Sequence, residues 1–379
     1  MTAWVSGSGL TPFGRLPGRD ALGWQTTAAL GALDDAGLRP RDVDAVYAGY
    51  ATTAGHLMPA DLLAAHLGIR PAVATGLSSG GATGLAMVAA AVRLVESGEA
   101  GTVLVAAGED RASGQSGETS TRTLAQVGHR DYEVPTGCTV PGYYGLLASA
   151  HLHRHGLGRA DLAPLAVQMR THAARHPGAH HRAPLTAADV LASRPVAEPL
   201  HLLDCCPVSD GGTAFVVTDR PRDPRAVRVL GVGEAHRHQH LCEADPEAFG
   251  AGDAARRALR RSDRTLADID VAGIYDSFTI TLALLLEEIG FCAPGRSGAD
   301  AACGRFDLDG ALPLNTHGGL LSYGHCGVAG GMAHLAEVVT QLRGEAGERA
   351  VARPPRTGFV HADGGVMSAH VSVVLEGPR

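Results

Sequence analysis

Two stretches of this 379-residue chain set chemically useful residues directly ahead of a glycine-led helix. Leu77, Ser78 and Ser79 precede GATGLAMVAAAVRLVESGEAG (81–101); Tyr323, Gly324, His325 and Cys326 precede GVAGGMAHLAEVVTQLRGEAG (327–347). A helix mouth offers unpaired N–H groups and the positive end of the helix dipole, which suit an oxyanion or a polarised carbonyl. A histidine at such a mouth can hold a carbonyl oxygen or move a proton near neutral pH. Serines there need a general base aimed at them to act as nucleophiles; otherwise they cap or pack the helix. Histidines 172, 176, 180 and 181 raise the question of a metal, but no second ligand set lies near them in sequence, so a solvated loop and no metal are expected. Adjacent Cys205 and Cys206 lack the paired CxxC spacing of a zinc site, and with Cys242 and Cys303 they are expected to be buried thiols.

The elements that must position these residues repeat. Residues 29–47 read as a helix, a Gly37 stop, a short loop and a strand, and residues 255–275 follow the same plan, with Asp42 and Asp44 matched by Asp268 and Asp270. In the two glycine-led segments, the glycines at 81, 84, 98 and 101 recur at 327, 330, 344 and 347. Strand-like runs follow each, TVLVAAG (102–108) and HVSVVL (370–375). Alternating strands and helices imply an α/β layered fold with largely buried sheets. Residues 112–200 break the pattern: SGQSGETSTRT is turn-like, and helices are expected around 143–157 and 160–175. Pseudo-twofold packing of the halves would bring both helix mouths to one cleft.

Composition narrows the function. The net charge is −7 with Lys and Arg scattered, which argues against a nucleic-acid surface. No apolar run approaches the ~20 residues of a membrane span, the N-terminus shows no export signal, and seven cysteines without framework spacing fit a reducing compartment. A cytoplasmic protein without membrane insertion is expected.

SGSGLTPFGR, DVDAVYAGY, SSGGATGLAMVAAAV, LLDCCPVSDGGTAFVV, YDSFTITLALLLEEIGFC and NTHGGLLSYGHCGVAGG together resemble the thiolase superfamily, in its lipid-transfer-protein (sterol carrier protein) branch. The resemblance runs over nearly the whole chain. It implies the thiolase fold: two pseudo-twofold-related βαβαβ-type halves in layers αβαβα, an N-terminal half (1–225) with the 112–200 loop region inserted, and a C-terminal half (226–379). It also carries the site over. The family's nucleophilic cysteine stands in a C-x-S-G context; here S-G is Ser79-Gly80, which puts Leu77 at the nucleophile position. The family's GHP appears as Gly324-His325-Cys326, its Asn-Glu-Ala-Phe block as Tyr275-Asp276-Ser277-Phe278, and its second cysteine falls at His361, ahead of Gly364 and Gly365. Both cysteines are absent on this register.

The resemblance thus implies Tyr275, Tyr323, His325 and His361 as catalytic groups, with Leu77, Ser78, Asp276, Cys326 and Gly365 lining the substrate. Two tyrosines and two histidines suit a non-covalent retro-aldol cleavage of a β-hydroxyacyl thioester, as in the steroid side-chain-cleaving aldolases that this pattern is similar to. In that reading no cofactor is bound and coenzyme A is part of the substrate. The implied partners are a second copy in a homodimer and a companion protein with an OB fold and zinc ribbon, giving a heterotetramer. Two alternatives stay open: a Claisen-type acyltransferase using Cys326 or a partner, and a non-catalytic acyl-CoA or lipid-binding subunit.

Overall fold

A computed structural model describes residues 2–378. The N-terminal half runs β1 (Trp4–Leu10), α1 (Ala21–Asp35), β2 (Ala45–Gly49), α2 (Pro59–Leu67), β3 (Val73–Leu77), α3 (Thr83–Ser97) and β4 (Thr102–Asp110). An excursion follows: α4 (Gly117–Ala125), α5 (Val140–His155), α6 (Arg159–Ala173), α7 (Ala187–Ala192) and a small hairpin, β5 (Pro195–Ala197) with β6 (Leu200–His201). The chain returns as β7 (Asp210–Thr218). The C-terminal half comprises β8 (Val227–His236), α8 (Ala251–Ser262), β9 (Val271–Ile274), α9 (Thr279–Ile289), α10 (Ser297–Ala302), a π turn at Gly319–Tyr323, α11 (Val328–Leu342), β10 (Thr357–Gly364) and β11 (Ala369–Glu376).

The main strands lie in the order β3-β2-β4-β7-β1-β8-β11-β10-β9, and the halves join where β1 meets β8 at Trp4↔Arg228 and Val5↔Val227. Helices α3 and α11 touch each other and strands of both halves, while α1 packs outside β1, β4 and β7, and α8 outside β8 and β11. This is the αβαβα layering. Every residue of β7 and β10 is buried, as expected of strands covered on both faces. The two central helices approach closely because Gly84 has no side chain; a Cβ there would lie 2.2 Å from Met332 Cγ.

The repeated aspartates do the same work in each half. Asp44 Oδ2 accepts from the backbone N–H of Gly101 and Thr102, both at 2.9 Å, at the start of β4. Asp270 Oδ2 accepts from Arg356 and Thr357 at 2.8 and 2.9 Å, at the start of β10. Asp42 and Asp268 each close the short 3-10 turn before β2 and β9, accepting from Arg39 N and Thr265 N.

Three local expectations fail. The turn-like SGQSGETSTRT contains α4, whose N-terminus is capped by Ser116 Oγ accepting from Thr119 N. The histidines at 172–181 are not a solvated loop: His172 is buried in α6 with Nδ1 3.0 Å from the Leu314 carbonyl, His176 sets its ring edge against Tyr323, and His180 Nδ1 is 2.8 Å from Ser209 Oγ. They line the underside of the π turn, a long-range contact that local polarity conceals. Cys242 and Cys303 are exposed, at a surface turn and at the end of α10, where no apolar layer covers them.

Candidate active site

Tyr275 follows directly on β9, and its backbone N–H donates to the His361 carbonyl on β10 at 3.0 Å. That anchor leaves its side chain free to point at the central helices. Its hydroxyl lies 2.9 Å from His325 Nε2, with the rings nearly perpendicular. His325 is held by its own backbone between the π turn and α11: its N–H donates to the Pro207 carbonyl and its carbonyl accepts from Ser209 N.

The opposing wall is main chain from the first half. A Cβ on Gly81 would sit 2.1 Å from the Tyr275 oxygen, and one on Gly364 would sit 2.0 Å from the Ser79 carbonyl. Only glycine lets the entry to α3 close on the phenol and on the end of β10. Leu77 ends β3 just before this entry, half-buried, and Ser78 beside it is exposed. Leucine offers no nucleophile.

Burial governs the ionisation of this pair. It holds the Tyr275 phenol well above its usual range, reinforced by the charge of Asp363, and it pushes the His325 imidazole down to about 3. His325 is therefore neutral near pH 7 and shares one proton with Tyr275. The Arg111 guanidinium favours charge on the phenol and opposes it on the imidazole. Such a pair can donate to a developing oxyanion through Tyr275.

The other sequence-assigned residues are placed differently. The Tyr323 hydroxyl donates to the Thr11 carbonyl at 2.8 Å, and its ring packs among Phe13, His176 and His317. His361 is buried, with Nδ1 2.8 Å from Ser372 Oγ and Nε2 3.2 Å from His370 Nδ1; it meets Tyr275 through its backbone carbonyl. Asp276 accepts from Leu320 N at 2.7 Å and faces His334 Nε2 at 3.3 Å, so it holds the π turn. Cys326 is buried and its thiol is pushed well up, hence protonated. Gly365 adopts φ of 71°, a left-handed conformation at the end of β10.

Two further residues stand beside those assigned from the sequence: Tyr144, in the stretch 132–145 that the sequence offers as a border of the acyl pocket or as plain packing, and Asp363, which the sequence does not single out. Tyr144 of α5 donates to Asp363 Oδ2 at 2.9 Å and stacks on Phe278 at 4.5 Å. Asp363 is buried, burial pushes its carboxyl well above the usual range, and its Oδ1 has no partner among the described residues. A separation of 219 positions leaves no local signal for their pairing.

Residues 5–221 match the family model described as Thiolase, N-terminal domain, and residues 233–377 the one described as Thiolase C-terminal domain-like. The chain belongs to the thiolase family. It is similar to an acetyl-CoA acetyltransferase of Methanothermobacter thermautotrophicus, 32% identical over 383 residues with 97% of this chain and 98% of the relative covered. A steroid side-chain-cleaving aldolase of Thermomonospora curvata is 33% identical over 364 residues, covering 90% of each. A solved structure, an Ltp2-ChsH2(DUF35) aldolase, superposes with a TM-score of 0.85 at 30% identity, covering 100% of this chain and 98% of the other. The expected thiolase fold and its likeness to the steroid-cleaving aldolases are thereby borne out. This thiolase-like enzyme has both acyltransferases and carbon–carbon lyases among its relatives. Among the described residues no helix is long and apolar enough to cross a membrane.

Proposed function

We propose that this thiolase is a cofactor-free aldolase that cleaves a β-hydroxyacyl-CoA by a retro-aldol reaction without a covalent intermediate. The observation that carries this reading is the Tyr275–His325 hydrogen bond at the mouth of α3; on the register we assign, Leu77 stands where the family has its nucleophilic cysteine. The β-hydroxyl proton passes to a base, the Cα–Cβ bond breaks, and its electrons enter the thioester as an enolate. Tyr275, backed by neutral His325, stabilises the enolate oxygen by hydrogen bonding. Protonation at Cα then releases a shortened acyl-CoA and a carbonyl product. Asp363, with one carboxyl oxygen unpartnered and its acidity weakened by burial, is the candidate base. Tyr323 and His361 brace the frame from behind.

The finer parts of the proposal are the CoA thioester, a homodimer, and a companion subunit of the OB-fold and zinc-ribbon kind, to which the DUF35 partner in the similar aldolase structure gives support. The test is to incubate the chain, alone and with such a companion, with β-hydroxyacyl-CoA thioesters. Shortened acyl-CoA and carbonyl product in equal amounts, with no mass added to the protein, supports the aldolase. An acyl adduct on the intact protein overturns it in favour of acyl transfer.

A further inference from the structure

Away from the cleft, α5 carries two histidines one helical turn apart, His151 and His155, on one face. Glu287 of α9 faces them, and the ligand atoms of the three all lie within 4.8 Å of one another. The His151 Nε2 to Glu287 Oε2 distance is 3.8 Å, too long for a hydrogen bond, although both side chains are more than nine-tenths buried. Glu287 is fixed by the N–H groups of Gly295 and Ser297, at 2.8 and 3.3 Å, which leave further lone pairs on each oxygen. Gly295 makes room for His155: a Cβ there would come within 2.9 Å of the ring. All three line a cavity of about 520 Å³, which gives an ion a way in.

We propose that His151, His155 and Glu287 form a binding site for one divalent transition-metal ion of the Zn2+ class. Two imidazoles and a carboxylate are the donor set such borderline ions prefer. Bonds of about 2.0–2.1 Å require the three donors to draw closer together around the ion. Burial keeps the His151 imidazole below its usual range in spite of Glu287, so it is neutral, the form that binds metal. The ion would clamp the C-terminal end of α5 to α9. The N-terminal half of α5 carries Tyr144, so the clamp fixes the helix that supplies the Asp363 hydrogen bond.

The proposal is independent of the chemistry in the cleft, and so is its test. Chelator-stripped full-length protein is titrated with Zn2+ by calorimetry, and with Co2+ while the visible spectrum is recorded. One ion per chain is expected, with the intense absorption bands of four-coordinate Co2+ and a raised melting temperature. His155→Ala and, separately, His151→Asn should weaken binding by about tenfold or more and abolish the Co2+ bands, with circular dichroism unchanged. His180→Ala/His181→Ala, which removes another histidine pair, should leave the affinity as it was. Binding that survives both single substitutions, or is lost only in the His180/His181 variant, overturns the assignment, as does wild-type protein that takes up no ion.

Discussion

Replacing Tyr275 by phenylalanine removes one oxygen from the site and leaves the ring where it packs. The hydroxyl makes one side-chain hydrogen bond, to His325 Nε2, and abuts Gly81. Loss of that bond leaves a buried imidazole nitrogen unsatisfied, which costs about 1–3 kcal/mol of stability. The catalytic loss should be larger in kind. A positioned acid contributes roughly 10²–10⁴-fold, equal to about 2.7–5.4 kcal/mol of transition-state stabilisation. Substrate contacts elsewhere are untouched, so the fall should appear in kcat with KM nearly constant. Chromatography of CoA esters over time, with the companion subunit present, measures turnover, and urea unfolding on the same preparation measures stability. A folded Tyr275→Phe enzyme that turns over within about threefold of wild type would refute the assignment, because no remaining acid at that position reaches His325.

Asp363→Asn should remove the acidic limb of the kcat/KM profile, a limb that lies above the ordinary carboxylate range because burial raises this group. The native state holds that proton more tightly than the unfolded chain, so wild-type stability relative to Asp363→Asn should fall as pH rises from the unfolded carboxylate pKa towards the folded one, measured by urea unfolding at several pH values. Tyr323→Phe, which loses only a bond to the Thr11 carbonyl, should retain far more turnover than Tyr275→Phe; an equal loss would return Tyr323 to the reacting centre. His172 has its pKa lowered by burial to about 4, so the stability it protects is complete above about pH 6.5 and lost as pH falls through 4. His172→Asn, which can still donate to the Leu314 carbonyl, should flatten that part of the curve.

The architecture was legible because it is written twice. Aspartates that hold β4 and β10 recur at matched places, and each is needed for a backbone reason that local sequence expresses. His325 could be singled out from its place before α11, whereas Tyr275 came from the resemblance of its Tyr-Asp-Ser-Phe block to the family's. The rest of the site depends on side-chain direction. His361 and Asp363 lie on the same face of β10, and only the pairing with β11 shows that the imidazole turns to Ser372 and His370 while the carboxyl meets Tyr144. The inward turn of His172 and His176 is equally a matter of tertiary contact, since a His- and Pro-rich stretch reads the same whether it faces water or the underside of a π turn.

The two halves are alike in frame and unlike in chemistry. The first half meets Tyr275 with backbone, the Ser79–Gly81 entry to α3, while the phenol, the imidazole and the Asp363 carboxyl, whose Oδ1 has no partner among the described residues, all belong to the second. A covalent thiolase must divide the labour, because the nucleophile sits at the first helix and its activating groups come from the other side. On the proposed register, with Leu77 at that first position, every group that moves a proton in the proposed mechanism lies on one half, and the other half need only hold the substrate and exclude water. Substitutions on the first wall should therefore act through geometry and raise KM, and those on the second should lower kcat. Ser78→Ala, exposed beside Leu77, is the sharpest case: a fall in kcat with KM unchanged would mean that the first half still contributes chemistry, and that the division of labour drawn from the structure is mistaken.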